Sequence, residues 1–122
     1  MNPRYARLRP EMTVDEAISY LRKQARERLE TIYYVYVLDA QQHLMGVLSF
    51  RELFAAAPEK RVAELMQTDL VVAEETMDQE KLSLLFTRHG LIAIPVVDAE
   101  RRMKGIVTYD DIIDVVEEEA TE

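Results

Sequence analysis

The chain matches itself. Shifted by 59 residues, Val37-Leu38-Asp39-Ala40 falls on Val96-Val97-Asp98-Ala99, and Gly46-Val47-Leu48-Ser49 falls on Gly105-Ile106-Val107-Thr108. The register then continues into an amphipathic helix, where Phe50, Leu53, Phe54 and Ala57 coincide with Tyr109, Ile112, Ile113 and Val116 on one i, i+3, i+4, i+7 stripe. A repeat that carries strand, turn and helix together restricts the fold to two copies of one unit packed on each other. Upstream, Thr13-Val14-Asp15-Glu16 matches Thr76-Met77-Asp78-Gln79 at an offset of 63. Both have the form of a capping box, in which Thr caps the helix and Glu or Gln reaches back. The extra residues in the first copy amount to about one helical turn and predict a longer first helix there. Its stripe of Val14, Ala17, Ile18, Leu21, Ala25 and Leu29 runs to about residue 29, against Leu82, Leu85 and Phe86 in the second copy.

After each first helix comes an apolar strand, Ile32 to Leu38 or Leu91 to Val97, then a polar turn and a short strand ending at Ser49 or Thr108. The order is βαββα, twice. The expected fold is α+β, two such repeats packed sheet-to-sheet with pseudo-twofold symmetry. Residues 1–57 form the first repeat, 58–65 a linker with a short helical turn from Val62, and 66–122 the second repeat. A unit of about 60 residues buries a limited share of its surface, so the two copies are read as one body with a shared apolar centre. The clefts between them are the natural ligand pockets.

Charge divides the chain unevenly. Residues 1–61 hold ten basic and eight acidic side chains, residues 62–122 five and fifteen, for a net −8 over 122 residues. That balance disfavours nucleic acid and anionic membrane surfaces as partners and favours cations, towards the C-terminal half. The absence of cysteine removes disulfides and thiolate chemistry and fits a reducing compartment. No apolar run approaches the roughly 20 residues that span a bilayer, and no leader pattern opens the chain, so the polypeptide is expected to be soluble.

Two βαββα units, each ending in Gly-hydrophobic-hydrophobic-Ser/Thr with an acid three residues later, resemble CBS domains in tandem, and the resemblance covers nearly the whole chain. Three further stretches, Glu30 to Val37, Arg61 to Met66 and Glu117 to Glu122, resemble the cytosolic region of MgtE-type magnesium transporters. The resemblance implies a regulatory module at the cytoplasmic face of the cell membrane, in a protein that also has an N-terminal helical domain and a transmembrane pore domain. It implies a homodimer as well. Met1-Asn2-Pro3 stands where Met66-Gln67-Thr68 stands in the second copy, so the chain is expected to begin at a module edge, as a fragment would. The rival reading is a stand-alone CBS protein that senses adenine nucleotide.

The last thirteen residues carry Asp110, Asp111, Asp114, Glu117, Glu118, Glu119 and Glu122 and no base. On a helix, Asp111, Asp114, Glu118 and Glu122 share one face while Ile112, Ile113 and Val116 take the other. Carboxylates near a helix C-terminus oppose the macrodipole, which a cation would relieve; a solvated outer face is the plainer reading. By resemblance to MgtE, the acids that respond to Mg2+ are Asp78, Glu80, Asp111, Asp114, Glu119 and Glu122. Where the best-known pattern has a further acid, this chain has Gly90. Mg2+ retains much of its water and accepts loosely organised carboxylates, so no tight cage is required.

Gly105-Ile106-Val107-Thr108-Tyr109-Asp110-Asp111 has the G-x-x-T-x-x-D form of CBS pairs that hold adenosine ligands such as ATP or AMP. Thr108 at a strand end lies where helix N–H groups favour phosphate, and Asp111 can accept from ribose hydroxyls. The first copy has Ser49 and Glu52 instead, a weaker match. By resemblance, Tyr34, Leu91 and Pro95 line the adenine slot and Arg51 reaches the phosphates. Two plainer readings stay open: the tyrosines as strand packing and Thr108 as a helix cap. Asp111 stands in both proposals and cannot easily serve both at once.

No enzymatic chemistry is expected. His43 and His89 match no metal-ligand spacing, no P-loop, nucleophile elbow or dinucleotide fingerprint occurs, and three glycines leave little material for a phosphate-cradling loop.

Overall fold

The computed structural model describes residues 5–25 and 34–110. In the first half, β1 (Ala6–Leu8) leads to α1 (Val14–Ala25), β2 (Val35–Leu38), β3 (Leu44–Leu48) and α2 (Phe50–Ala55). A short α3 (Val62–Leu65) connects to β4 (Ala73–Glu74), α4 (Gln79–His89), β5 (Ala93–Val97) and β6 (Met103–Thr108). Tyr109 and Asp110 are helical where the described residues end. Each half forms a three-stranded sheet, β1-β2-β3 and β4-β5-β6. In both, the first pair is parallel and the second antiparallel.

The repeat extends to register. Tyr36 pairs with Val47 and Pro95 with Ile106, the same pairing 59 residues later. The ladders slip at matching places, between Val37 and Leu38 and between Val96 and Val97. Each hairpin turn is organised by an aspartate. Asp39 Oδ1 accepts from the N–H groups of Gln41 and His43, both at 2.9 Å. Asp98 Oδ1 accepts from those of Glu100 and Arg102, also at 2.9 Å. Gln42 and Arg101 hold the left-handed position of each turn, with φ of 73° and 70°.

Both central strands are buried on both faces, which is why they read as unbroken apolar runs. Val35 and Val37 face the helices of their own half, packing with Val14, Ala17, Leu21, Leu53 and Val62. In the second half Ile94 and Val96 pack with Leu82 and Phe86. The opposite faces meet: Tyr36, Leu38 and Leu44 share one cluster with Val97, Met103 and Ile106. The two turns lock beside that cluster, where the Leu44 N–H donates to Arg101 O at 3.1 Å and the Met103 N–H to Gln42 O at 3.0 Å.

Helix starts agree with the sequence in one copy and differ in the other. Thr13 makes the expected box: its Oγ1 accepts from the Glu16 N–H at 3.2 Å, and Glu16 Oε1 accepts from the Thr13 N–H at 3.2 Å. In the second copy Thr76 is not the cap. Asp78 takes that role, accepting from the Lys81 N–H at 2.9 Å, because α4 begins at Gln79 and a carboxylate at the cap position serves as well as a hydroxyl. β5 begins at Ala93, two residues inside the expected strand. The expected extension of the first helix to residue 29 and the start of the first strand at Ile32 lie outside the described residues.

The connection between the halves is packed. Val62 is fully buried in the first core. Farther on, Val47 and Gln67 exchange two backbone hydrogen bonds, at 3.0 and 2.9 Å. Gly90 ends α4 in the left-handed conformation, φ 62°, a position that favours glycine.

Candidate functional site

A cleft of about 220 Å³ opens between the two halves. One wall comes from the first half: Tyr34 and Tyr36 on the edge and face of β2, and Ser49 and Glu52 where β3 turns into α2. The other comes from the second half, with Leu91, Ala93 and Pro95 on the approach to and along β5. Gln67, Asp69, Leu70 and Val71, between α3 and β4, close the side. The topology produces this arrangement directly. Alternate residues of β2 and β5 face the neighbouring half, and the strand ends lie where the shared core gives out.

Ser49 and Glu52 are held by one another. Ser49 Oγ caps α2 by accepting from the Glu52 N–H at 3.2 Å and donates to Glu52 Oε1 at 3.0 Å, and that same oxygen accepts from the Ser49 N–H at 3.2 Å. The box fixes Glu52 against the cleft wall while its Oε2 stands outside these contacts. Such an oxygen can accept from the hydroxyls of a ligand. Tyr36 is 2% exposed. Burial first, and the neighbouring Tyr34 second, push its phenol above the usual tyrosine range, so it stays a neutral hydroxyl.

Of the residues named for a nucleotide, Tyr34, Leu91 and Pro95 line this cleft together. Arg51 is exposed on α2, directly before Glu52. Thr108 pairs with Ala93 at the corresponding corner of the second half and is not among the lining residues; Asp111 lies outside the described residues. Ser49 and Glu52 of the first copy supply a hydroxyl and an acid that do share the cleft with Tyr34, and Asp69 is a second acid there. The signal for them was the repeat itself. Because β2 residue 35 pairs with β3 residue 48, Ser49 follows at the strand end beside Tyr34. Tyr36, Gln67 and Asp69 had no sequence signal beyond their position.

Of the acids named for Mg2+, Asp78 is the cap of α4 and Glu80 is exposed in its first turn. Both favour the helix through its dipole. Asp111, Asp114, Glu119 and Glu122 lie outside the described residues. Among the described residues, no group of three or more His, Cys, Asp or Glu side chains is placed to hold a metal ion. A second, wider cleft of about 630 Å³ is bordered by Glu74, Glu75, Asp98 and Glu100 together with Arg101. Asp98 is partnered there by Arg102 at 3.3 Å and Lys104 at 3.8 Å, and Glu100 also pairs with Arg102. Its counterpart in the first half, of about 290 Å³, has Arg7 and Arg9 instead. The inequality of charge between the halves is thus carried into equivalent places of the fold.

The two turn aspartates are both more acidic than usual. The Arg102 N–H is the main cause at Asp98, with further help from the Glu100 N–H and the nearby cations against some desolvation. At Asp39 desolvation is the largest single influence and pushes upward, but the hydrogen bonds from His43 and Gln41 together outweigh it.

Two halves that share one strand-helix-strand-strand order and one register, joined through their β2 and β5 faces with a cleft at the seam, define a tandem pair of CBS modules. The chain belongs to the CBS-domain family, whose profile matches residues 1–59 and 62–118. More particularly, it is similar to the magnesium transporter MgtE of Thermus thermophilus, 47% identical over all 122 residues, and to that of Bacillus subtilis, 43% identical over the same length. It spans 27% of the length of each. Among solved structures it resembles the cytosolic domain of the Mg2+ channel MgtE in complex with ATP, with a TM-score of 0.86 and 45% identity over 93% of this chain and 45% of that one. Among the described residues, no helix is long and apolar enough to cross a membrane.

Proposed function

We propose that this CBS pair is the regulatory part of an MgtE-like magnesium transporter and that it takes an adenine nucleotide in the cleft between its halves. The observation that carries the reading is the cleft itself. A flat apolar slot between Tyr34 and the Leu91 to Pro95 segment suits a purine, and Glu52 beside it suits a ribose. Arg51 is one residue from Glu52, on the exposed side, where phosphates would emerge. A solved relative, the cytosolic domain of the Mg2+ channel MgtE, is in complex with ATP, which supports the choice of nucleotide.

The regulatory ion is Mg2+. The carboxylates of the second half, Asp78, Glu80, Asp111, Asp114, Glu119 and Glu122, repel neighbouring acidic surfaces until the ion screens them, and screening closes the assembly on the pore. An ion shifts such an equilibrium only through different affinity for the two states, so its sites are shared across contacts made in the closed state, with neighbouring domains and with a second copy in a homodimer.

Calorimetric titration of ATP and AMP tests the cleft: saturable binding, weakened by Glu52→Gln, is expected, and no binding at millimolar nucleotide would contradict it. Hydrogen exchange of the dimer, or of the chain with its flanking domains, tests the ion. Protection that rises over millimolar Mg2+ is expected, and an unresponsive profile would contradict the sensing role.

A further inference from the structure

Tyr36 occupies an unusual position in the repeat. Its equivalent 59 residues later is Pro95, and the pairings agree, Tyr36 with Val47 and Pro95 with Ile106. Both line the cleft. The second half therefore has, at the matching place, a ring with no side-chain polar atom, while the first half has a hydroxyl. That hydroxyl is buried, and among the described residues it is the buried side-chain polar atom with no hydrogen-bond partner. Its ring is fixed: Tyr5 packs edge-on against it at 5.9 Å between centroids, and its neighbours Leu38, Leu44 and Ile106 belong to the shared core.

An orphaned buried hydroxyl costs stability, because desolvation is not offset by a bond. Phenylalanine would fill the same space without that cost. The hydroxyl thus works against the empty fold and has its use when the cleft is filled.

We infer that the Tyr36 hydroxyl is a specificity-determining contact, a hydrogen-bonding group at the floor of the cleft that receives the polar edge of a buried heterocyclic base. Val47 and Leu70, which pack with Tyr36 and line the cleft, are apolar, and the polar side chains of the lining are Tyr34, Ser49, Glu52, Gln67 and Asp69. A neutral phenol both donates and accepts, so it meets a ring nitrogen or an exocyclic amine equally well.

The inference rests on the nucleotide reading, and one set of measurements separates the two. ATP is titrated calorimetrically into the wild-type chain and into Tyr36→Phe, and both are melted without ligand. The expected result is ATP binding about three- to tenfold weaker in the variant, the worth of one net hydrogen bond, with an unliganded melting temperature equal to or above wild type. Wild-type binding with unchanged affinity in Tyr36→Phe would overturn the inference and leave the nucleotide reading standing. A variant that unfolds or melts several degrees lower would show that the hydroxyl serves the fold, and would also overturn it. Failure of the wild type to bind ATP removes the nucleotide reading and this inference with it.

Discussion

Met66 lies so close over Gly46 that a β-carbon placed on the glycine would come within 2.8 Å of both the Cβ and the Cγ of the methionine. The contact fastens the connection between the halves to β3, beside the paired Val47 and Gln67. Gly46→Ala is therefore an overpacking mutation whose clash falls on an anchored atom. A loss of about 1–3 kcal/mol is expected, visible as a lower midpoint in urea. Met66→Ala in the same chain should recover part of it, since neighbours in contact are not additive. An unaffected midpoint in Gly46→Ala would mean that the connection is not seated on β3.

Asp78 gives a way to separate support of a helix from response to an ion. Asp78→Ala removes the cap of α4 and should cost about 1 kcal/mol, whereas Thr76→Ala should stay within about 0.5 kcal/mol. Asp78→Asn keeps a capping oxygen and removes the charge. It is expected to melt near wild type and to need more Mg2+ for the same protection in hydrogen exchange. Equal stability of Asp78→Ala and wild type would contradict the cap.

The repeat made most of this fold legible. The offset of 59 fixed strand, turn and helix together, and the continuous apolar runs in Val35 to Leu38 and Ala93 to Val97 reflected strands covered on both faces. The short β1 and β4 had no such mark: three and two residues long, they are set by pairing with β2 and β5 and not by local pattern. The site was legible in part, because Tyr34, Leu91 and Pro95 meet across the seam as the family resemblance implied. Its acid was harder to place. A motif marks the corner of one half, while the cleft joins that corner to the strand of the other. Ser49 and Glu52 line that cleft, whereas Asp111, the acid of the fuller motif, lies outside the described residues.

The same distinction predicts how substitutions divide. Glu52→Gln preserves the helix box, since glutamine also reaches back from that position, and should weaken ATP roughly tenfold by losing a charged acceptor. Thr108→Ala should leave ATP affinity within about twofold. If calorimetry gave the reverse order, the nucleotide would belong to the corner of the second half.

Acid should loosen the seam. The native carboxyls of Asp39 and Asp98 titrate below their unfolded values, so the stability they contribute is complete above the unfolded pKa near 3.9 and is lost as pH falls through the lower native values. Melting temperatures measured from about pH 5 downward should fall, and Asp98→Asn should make the fall shallower because it has no proton to take up. An identical slope in the variant would show that Asp98 is not among the groups that drive acid unfolding.

Amide hydrogen exchange with and without saturating ATP tests the central claim most directly, because it reports where the ligand sits. Slower exchange is predicted in two segments distant in sequence, Tyr34 to Tyr36 and Leu91 to Val97, together with the start of α2 at Phe50 to Glu52. Protection confined to one half, or none at any attainable nucleotide concentration, would contradict a binding cleft built from both.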